Sequence, residues 1–98
     1  MENRNDAQFE RSSEAWYRAF ARDSYNFQCR WIAKARTGSI ADHEWPVCSE
    51  ELWQLSQKYQ QTEFTDSMLA SIYTEIERLN AEQNSLLIAS YTPSLPRM

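Results

Sequence analysis

Glycine is almost absent from this chain: Gly38 is the only one in 98 residues, and there are three prolines. Strand-rich folds turn often, and tight turns draw on Gly, Pro and Asn. Their scarcity predicts a few long helices joined by short loops. It also excludes the glycine-rich loops that bring backbone against phosphate. The two cysteines, Cys29 and Cys48, fall short of the four or six that staple a small secreted domain. A single histidine, His43, leaves little with which to activate a cysteine nucleophile. No stretch approaches the roughly 18 apolar residues of a membrane span. Met1 to Asp6 carry no apolar run, which predicts no signal peptide. Together these absences predict one small cytoplasmic domain with no cofactor.

Aromatic residues are abundant by contrast, with four Trp, five Tyr and four Phe. Large rings let a thin core bury much area per residue, and they also anchor interfaces between proteins. Apolar residues make up 42% of the chain, which is ordinary for a folded domain. The net charge of −4 is unevenly placed. Residues 18–36 hold Arg18, Arg22, Arg30, Lys34 and Arg36 against Asp23 alone. Residues 49–98 are acidic, with seven carboxylates against three cations. The two regions are able to neutralise each other within one molecule, between subunits or against a partner.

Residues 1–11 read as a polar arm. Ser12 and Ser13 are good N-caps with Glu14 behind them, and they open a helix over 13–36. On a helical wheel Trp16, Phe20, Phe27 and Trp31 fall within about 60° of one another. Arg36 and Gly38 end the helix, with glycine just beyond its last turn. Residues 39–48 read as a linker packed down by Ile40, Trp45, Val47 and Cys48, and Pro46 should push Trp45 toward an extended conformation. Ser49 caps a short helix over 50–60, with Glu50 and Glu51 in its first turn. Thr65 caps a third helix over 66–90, with Phe64 placed as a hydrophobic staple. Leu69, Ile72, Ile76, Leu79, Gln83 and Leu86 follow in steps of three and four, a heptad seam of about two and a half repeats. Pro93 and Pro96 give residues 91–98 the spacing of an extended, polyproline-like tail. The fold expected is all-α, two long helices and one short, with a seam that suits either a bundle core or a homodimer.

The aromatic stripe is the strongest functional signal. Its ordinary reading is the core face of the first helix. Its functional reading is surplus ring surface that docks on another chain, helped by Trp45 and Trp53. Arg22, Arg30 and Lys34 also suit phosphates, with rings nearby for stacking, although the chain is acidic and shows no nucleic-acid motif. Asp42, His43, Glu44 and Cys48 lack the paired spacing of a zinc site, so no metal is expected.

In general character the chain resembles the small accessory proteins of phages and mobile elements: short, acidic, rich in Trp and Tyr, without a catalytic set. Many of those proteins inhibit or redirect a host enzyme by binding it. The likeness assigns no residue. The reading reached is a non-enzymatic protein that docks on a larger enzyme or enzyme complex, such as one that processes nucleic acid, with no membrane and no small-molecule substrate. Its contact residues would be Trp16, Arg18, Arg22, Arg30, Trp31, Trp45 and Trp53. The rivals are a helical nucleic-acid-binding regulator and a structural homo-oligomer joined along Leu69–Leu86.

Overall fold

A computed structural model describes residues 9–91, including the side chains of 9–86. It is all-helical among the described residues. The order is α1 (Glu14–Ala35), a short 3-10 turn (Asp42–Glu44), α2 (Trp45–Lys58) and α3 (Glu63–Tyr91). The helices form an up-down-up bundle, in which α1 and α3 run parallel and pack on each other and α2 returns antiparallel against both. Trp16 at the start of α1 meets Tyr59 at the end of α2, while the α1 terminus at Gly38 meets Asn84 of α3.

Ser13 is the cap of α1, its hydroxyl accepting from the Trp16 amide at 3.2 Å. At the other end Gly38 takes φ +65°, a left-handed conformation that costs glycine least. Its amide donates to the Ala35 carbonyl at 2.9 Å. A Cβ there would lie 2.9 Å from Asn84 Oδ1 and 3.1 Å from Gln83 Cβ. The glycine is therefore required twice, by its φ and by the close approach of α3. The following strap is tied down by buried Asn80, whose Oδ1 accepts from the Ile40 amide at 3.2 Å.

Three sequence expectations are corrected. The segment 39–48 does not stay a linker: α2 begins at Trp45, and Trp45 itself is helical at φ −61°, ψ −41°. Pro46 sits in the first helical turn, where its missing N–H would have had no partner anyway. Packing holds Trp45 in place, its indole edge-to-face on Tyr73 at 5.8 Å. Ser49 is consequently inside α2 and caps nothing. The third correction is the start of α3. Thr62, not Thr65, accepts the first free amides: its Oγ1 takes the Thr65 amide at 3.1 Å and its carbonyl takes that of Asp66 at 2.9 Å. Phe64 therefore lies in the helix and not before it. The turn between α2 and α3 is tight, with Gln60 and Gln61 both at positive φ (63° and 52°). Of the expected tail 91–98, Tyr91 is still helical, and its remainder and most of the expected arm 1–11 lie outside the described residues.

The core has two lobes. Trp16, Ala19, Phe20, Tyr59 and Leu69 fill the lower one, and Phe27, Trp31, Ala35, Ile40, Cys48 and Ile76 fill the upper one. Leu52, Leu55 and Ile72 pack against both and join them. The heptad seam is used here: Leu69 and Ile76 are fully buried within the bundle and Ile72 and Leu79 partly so. Only Leu86, beyond the end of α1, is left exposed. Intramolecular packing thus accounts for the seam without a second chain.

Candidate functional site

The four indoles have different fates. Trp16 and Trp31, at 1% and 6% exposure, belong to the chain's own core and are not presented to a partner. Each ring N–H is satisfied internally, Trp16 Nε1 donating to Gln60 Oε1 at 2.8 Å and Trp31 Nε1 to Glu51 Oε1 at 2.9 Å. Trp45 is half-buried against the upper lobe. Trp53 alone of the four is mostly exposed, at 56%.

Trp53 stands beside a groove of about 480 Å³ between α2 and α3. Leu52 and Leu69 form its floor, Ala70 and Tyr73 its α3 wall, and Asp66 closes one end. Helical geometry builds this arrangement. In α2, Cys48, Leu55 and Tyr59 point into the bundle, and Trp53 falls roughly 140° round the wheel from Leu55 and Tyr59 on average. In α3, Ala70 and Thr74 are small residues one turn apart, so the wall there is low. Two bonds hold the helices at this spacing. The Ser56 hydroxyl donates to Asp66 Oδ1 at 2.7 Å, and the Ser49 hydroxyl donates to the Tyr73 hydroxyl at 3.4 Å. The small pair Ala70 and Thr74, placed next to Tyr73, is the signal in the sequence that could have revealed the groove, and it was missed.

Other exposed rings are better accounted for. Tyr17 and Phe64 pack edge-to-face at 5.6 Å, and Phe64 meets Phe20 at 5.8 Å, so the three rings roof one another over the lower core lobe. Among the described residues Trp53 makes no such ring contact. The expectation of surplus aromatic surface therefore meets a structure that leaves rings exposed, but at different residues from the stripe that suggested it.

The basic residues of α1 do not act as one set. Arg30 turns to Glu51 of α2 (2.6 Å) and Lys34 to Glu44 of the 3-10 turn (2.8 Å). Arg18, Arg22 and Arg36 lie on the outer face with Tyr25, which is 64% exposed. Arg18 pairs with Glu14 at 2.6 Å and Arg22 with Asp23 at 3.1 Å.

Asp23 is the most connected carboxylate. It accepts from the Tyr59 hydroxyl at 2.5 Å, Lys58 Nζ at 2.9 Å and Arg22 Nε at 3.1 Å. Burial alone would raise its pKa, but these three hydrogen bonds outweigh burial and hold it below its ordinary value. Burial, together with this partnership, raises the Tyr59 phenol. This cluster staples α1 to α2 and accounts for its own charges. Burial pushes the Cys48 thiol up to about 11, with nearby Glu51 and Glu77 adding to the effect. His43 is exposed on the 3-10 turn, whereas Cys48 is fully buried. Among the described residues no three His, Cys, Asp or Glu side chains converge as a metal site would need. No helix among them is long and apolar enough to cross a membrane.

Comparison with known proteins adds no relative: no family model matches the chain, and neither the curated proteins nor the solved structures give a match.

Proposed function

We propose that this chain is a non-enzymatic binding protein that docks on a larger protein through the α2–α3 face, and that it modulates its target by occupancy. The observation that carries the reading is the exposure of Trp53, the one indole of the four left mostly in water, beside an apolar groove. Buried Trp contributes more than most residues at interfaces, and a Trp left in water costs solvation in the free protein. The groove residues supply apolar contact and hydrogen-bonding groups, and the Ser56 hydroxyl among them is spent on tying α2 to Asp66 of α3. An enzyme inhibitor or adaptor needs nothing more than such a surface.

The test is a Trp53→Ala variant compared with the parent for capture of partners from extract, with the fold checked by circular dichroism. Loss of a specific partner with the melting temperature retained supports the reading. An identical set of retained proteins overturns it.

A second reading has its own observation. Tyr25 lies among Arg18, Arg22 and Arg36 on the outer face of α1, a ring set among cations as on single-stranded nucleic-acid platforms. Salt titration separates the two readings, because phosphate binding weakens steeply with salt. Absence of DNA or RNA binding at low salt removes the second.

A further inference from the structure

The groove beside Trp53 has a distinct electrostatic character. Asp66 closes one end. Glu77 lies two turns beyond Ala70 on the same side of α3, close enough to α2 for its charge to be felt at buried Cys48. Glu50 lies about 60° from Trp53 on the solvent side of α2. No cation lines the groove. The two basic residues of α2 and α3 among the described residues are engaged elsewhere. Lys58 reaches across to Asp23 of α1, and Arg78 is held between Glu75 and Glu82. The groove is thus apolar at its floor and acidic at its rim.

We propose that the α2–α3 groove takes an amphipathic helix of a partner protein, with apolar residues packed on Leu52, Trp53 and Tyr73 and with Lys or Arg flanking them toward Glu50, Asp66 and Glu77. The proposal rests on the docking role above and names the chemistry of the occupant. Charge selects the flanks, because a cation gains by approaching an acidic rim and an anion is repelled. Shape selects a helix, since a trough between two helices offers ridges and grooves and no strand edge to extend. From Asp66 to Glu77 the trough runs about 16 Å at 1.5 Å per residue, room for three helical turns. A second copy of this chain is a poorer occupant. Its basic face is the outside of α1, and pairing that face with the groove leaves both faces open at the ends, so it would propagate as a filament rather than close.

The test uses the full-length chain and a panel of labelled, stapled helical peptides of about 15 residues, long enough to hold a helix once stapled. Each peptide carries Leu or Phe at positions spaced three and four apart, with flanks of Lys, Gln or Glu, and binding is read by fluorescence anisotropy. The Lys-flanked peptides should bind at least about tenfold more tightly than the Glu-flanked ones, and raising salt from about 50 to about 300 mM should narrow that ratio. Trp53→Ala should weaken binding at least about tenfold with the fold intact, and Ala70→Arg, which places a cation on the wall, should do the same. If no peptide of the panel binds, if Glu flanks match Lys flanks, or if Trp53→Ala leaves affinity unchanged, the proposal is overturned. Concentration-dependent association of the parent that disappears in Trp53→Ala also overturns it, by giving the groove to another copy. A photo-crosslinker placed at position 74, on the groove wall, or at position 25 separates this failure from that of the broader reading. Adducts at 25 alone remove the groove and keep a docking protein, whereas adducts at neither position remove both.

Discussion

Trp31→Ala should come close to unfolding the protein. The indole is 6% exposed and lies in the upper core lobe among Phe27, Ala35, Ile40, Cys48 and Ile76. Truncating a buried Trp costs about 3–5 kcal/mol, the spread reflecting how far the cavity collapses. The lost hydrogen bond to Glu51 adds little, because Arg30 still holds the same carboxylate oxygen at 2.6 Å. Domains of this size have about 5–15 kcal/mol in total, so the loss is between about a fifth and the whole of the stability. At about 4–8 °C per kcal/mol, the melting temperature should fall by roughly 12–40 °C. Urea unfolding followed by far-ultraviolet circular dichroism is the right assay, because removing a tryptophan alters the fluorescence baseline. Trp53→Ala is the paired control and should stay within about 0.5 kcal/mol of the parent, as exposed substitutions do. A Trp31→Ala loss below about 1 kcal/mol, or a Trp53→Ala loss as large as that at Trp31, would refute the division of indoles into core and surface.

Gly38→Ala should destabilise by about 1–2 kcal/mol from its positive φ alone, and by more if Asn84 cannot move aside, as thermal unfolding will show. Ellman titration at pH 8 should count one prompt thiol in the folded protein, exposed Cys29, and two in denaturant. Cys48 is fully buried, and with its pKa at about 11 only about a thousandth is thiolate at that pH. Asp23→Asn should lower stability at neutral pH by about 1–3 kcal/mol, since charged acceptors make the stronger hydrogen bonds. The folded Asp23 pKa lies below its ordinary 3.8, so its contribution is complete above the unfolded value and is lost as pH falls through the folded one. Urea midpoints of parent and variant should therefore draw together as pH falls below 3.8, and a gap that does not narrow there speaks against the Asp23 cluster as its source.

The features legible in the sequence were those with a local cause. Ser13 as cap, the Trp16–Trp31 stripe as one helical face, and Gly38 as terminator each depend on a few neighbouring residues, and each is present. The start of α2 was misread because Ser49-Glu50-Glu51 has the chemistry of a helix cap. Pro46 meanwhile reads equally as a breaker or as a first-turn residue, and only the packing of Trp45 on Tyr73 decides between them. Thr62-Glu63 and Thr65-Asp66 offer the same signature three residues apart. The choice went to Thr62 because Tyr59, fully buried and bonded to Asp23, fixes where α2 must stop. The division of rings was illegible for a related reason. A wheel shows that Trp16 and Trp31 share a face, but only the return of α2 shows that the face is covered and that Trp53 is the indole left outside.

The uneven charge of the sequence finds a partial answer inside the molecule. Three ion pairs, Arg30–Glu51, Lys34–Glu44 and Lys58–Asp23, join α1 to α2 or to the turn before it. These pairs consume the inward-facing cations of α1 and leave Arg18, Arg22 and Arg36 on its outer face. On α3 the acids facing the groove, Asp66 and Glu77, gain no cation from α1, because they lie on the side of α3 turned toward α2 and away from its contact with α1. The bundle therefore presents a basic face around Tyr25 and an acidic, apolar one around Trp53. A partner that reads charge will distinguish the two faces, and reversing charge on one should leave binding at the other unchanged. That asymmetry follows from the helix faces: α3 packs directly on α1, and the same acids carried on that side, next to the α1 cations, would have cancelled both faces.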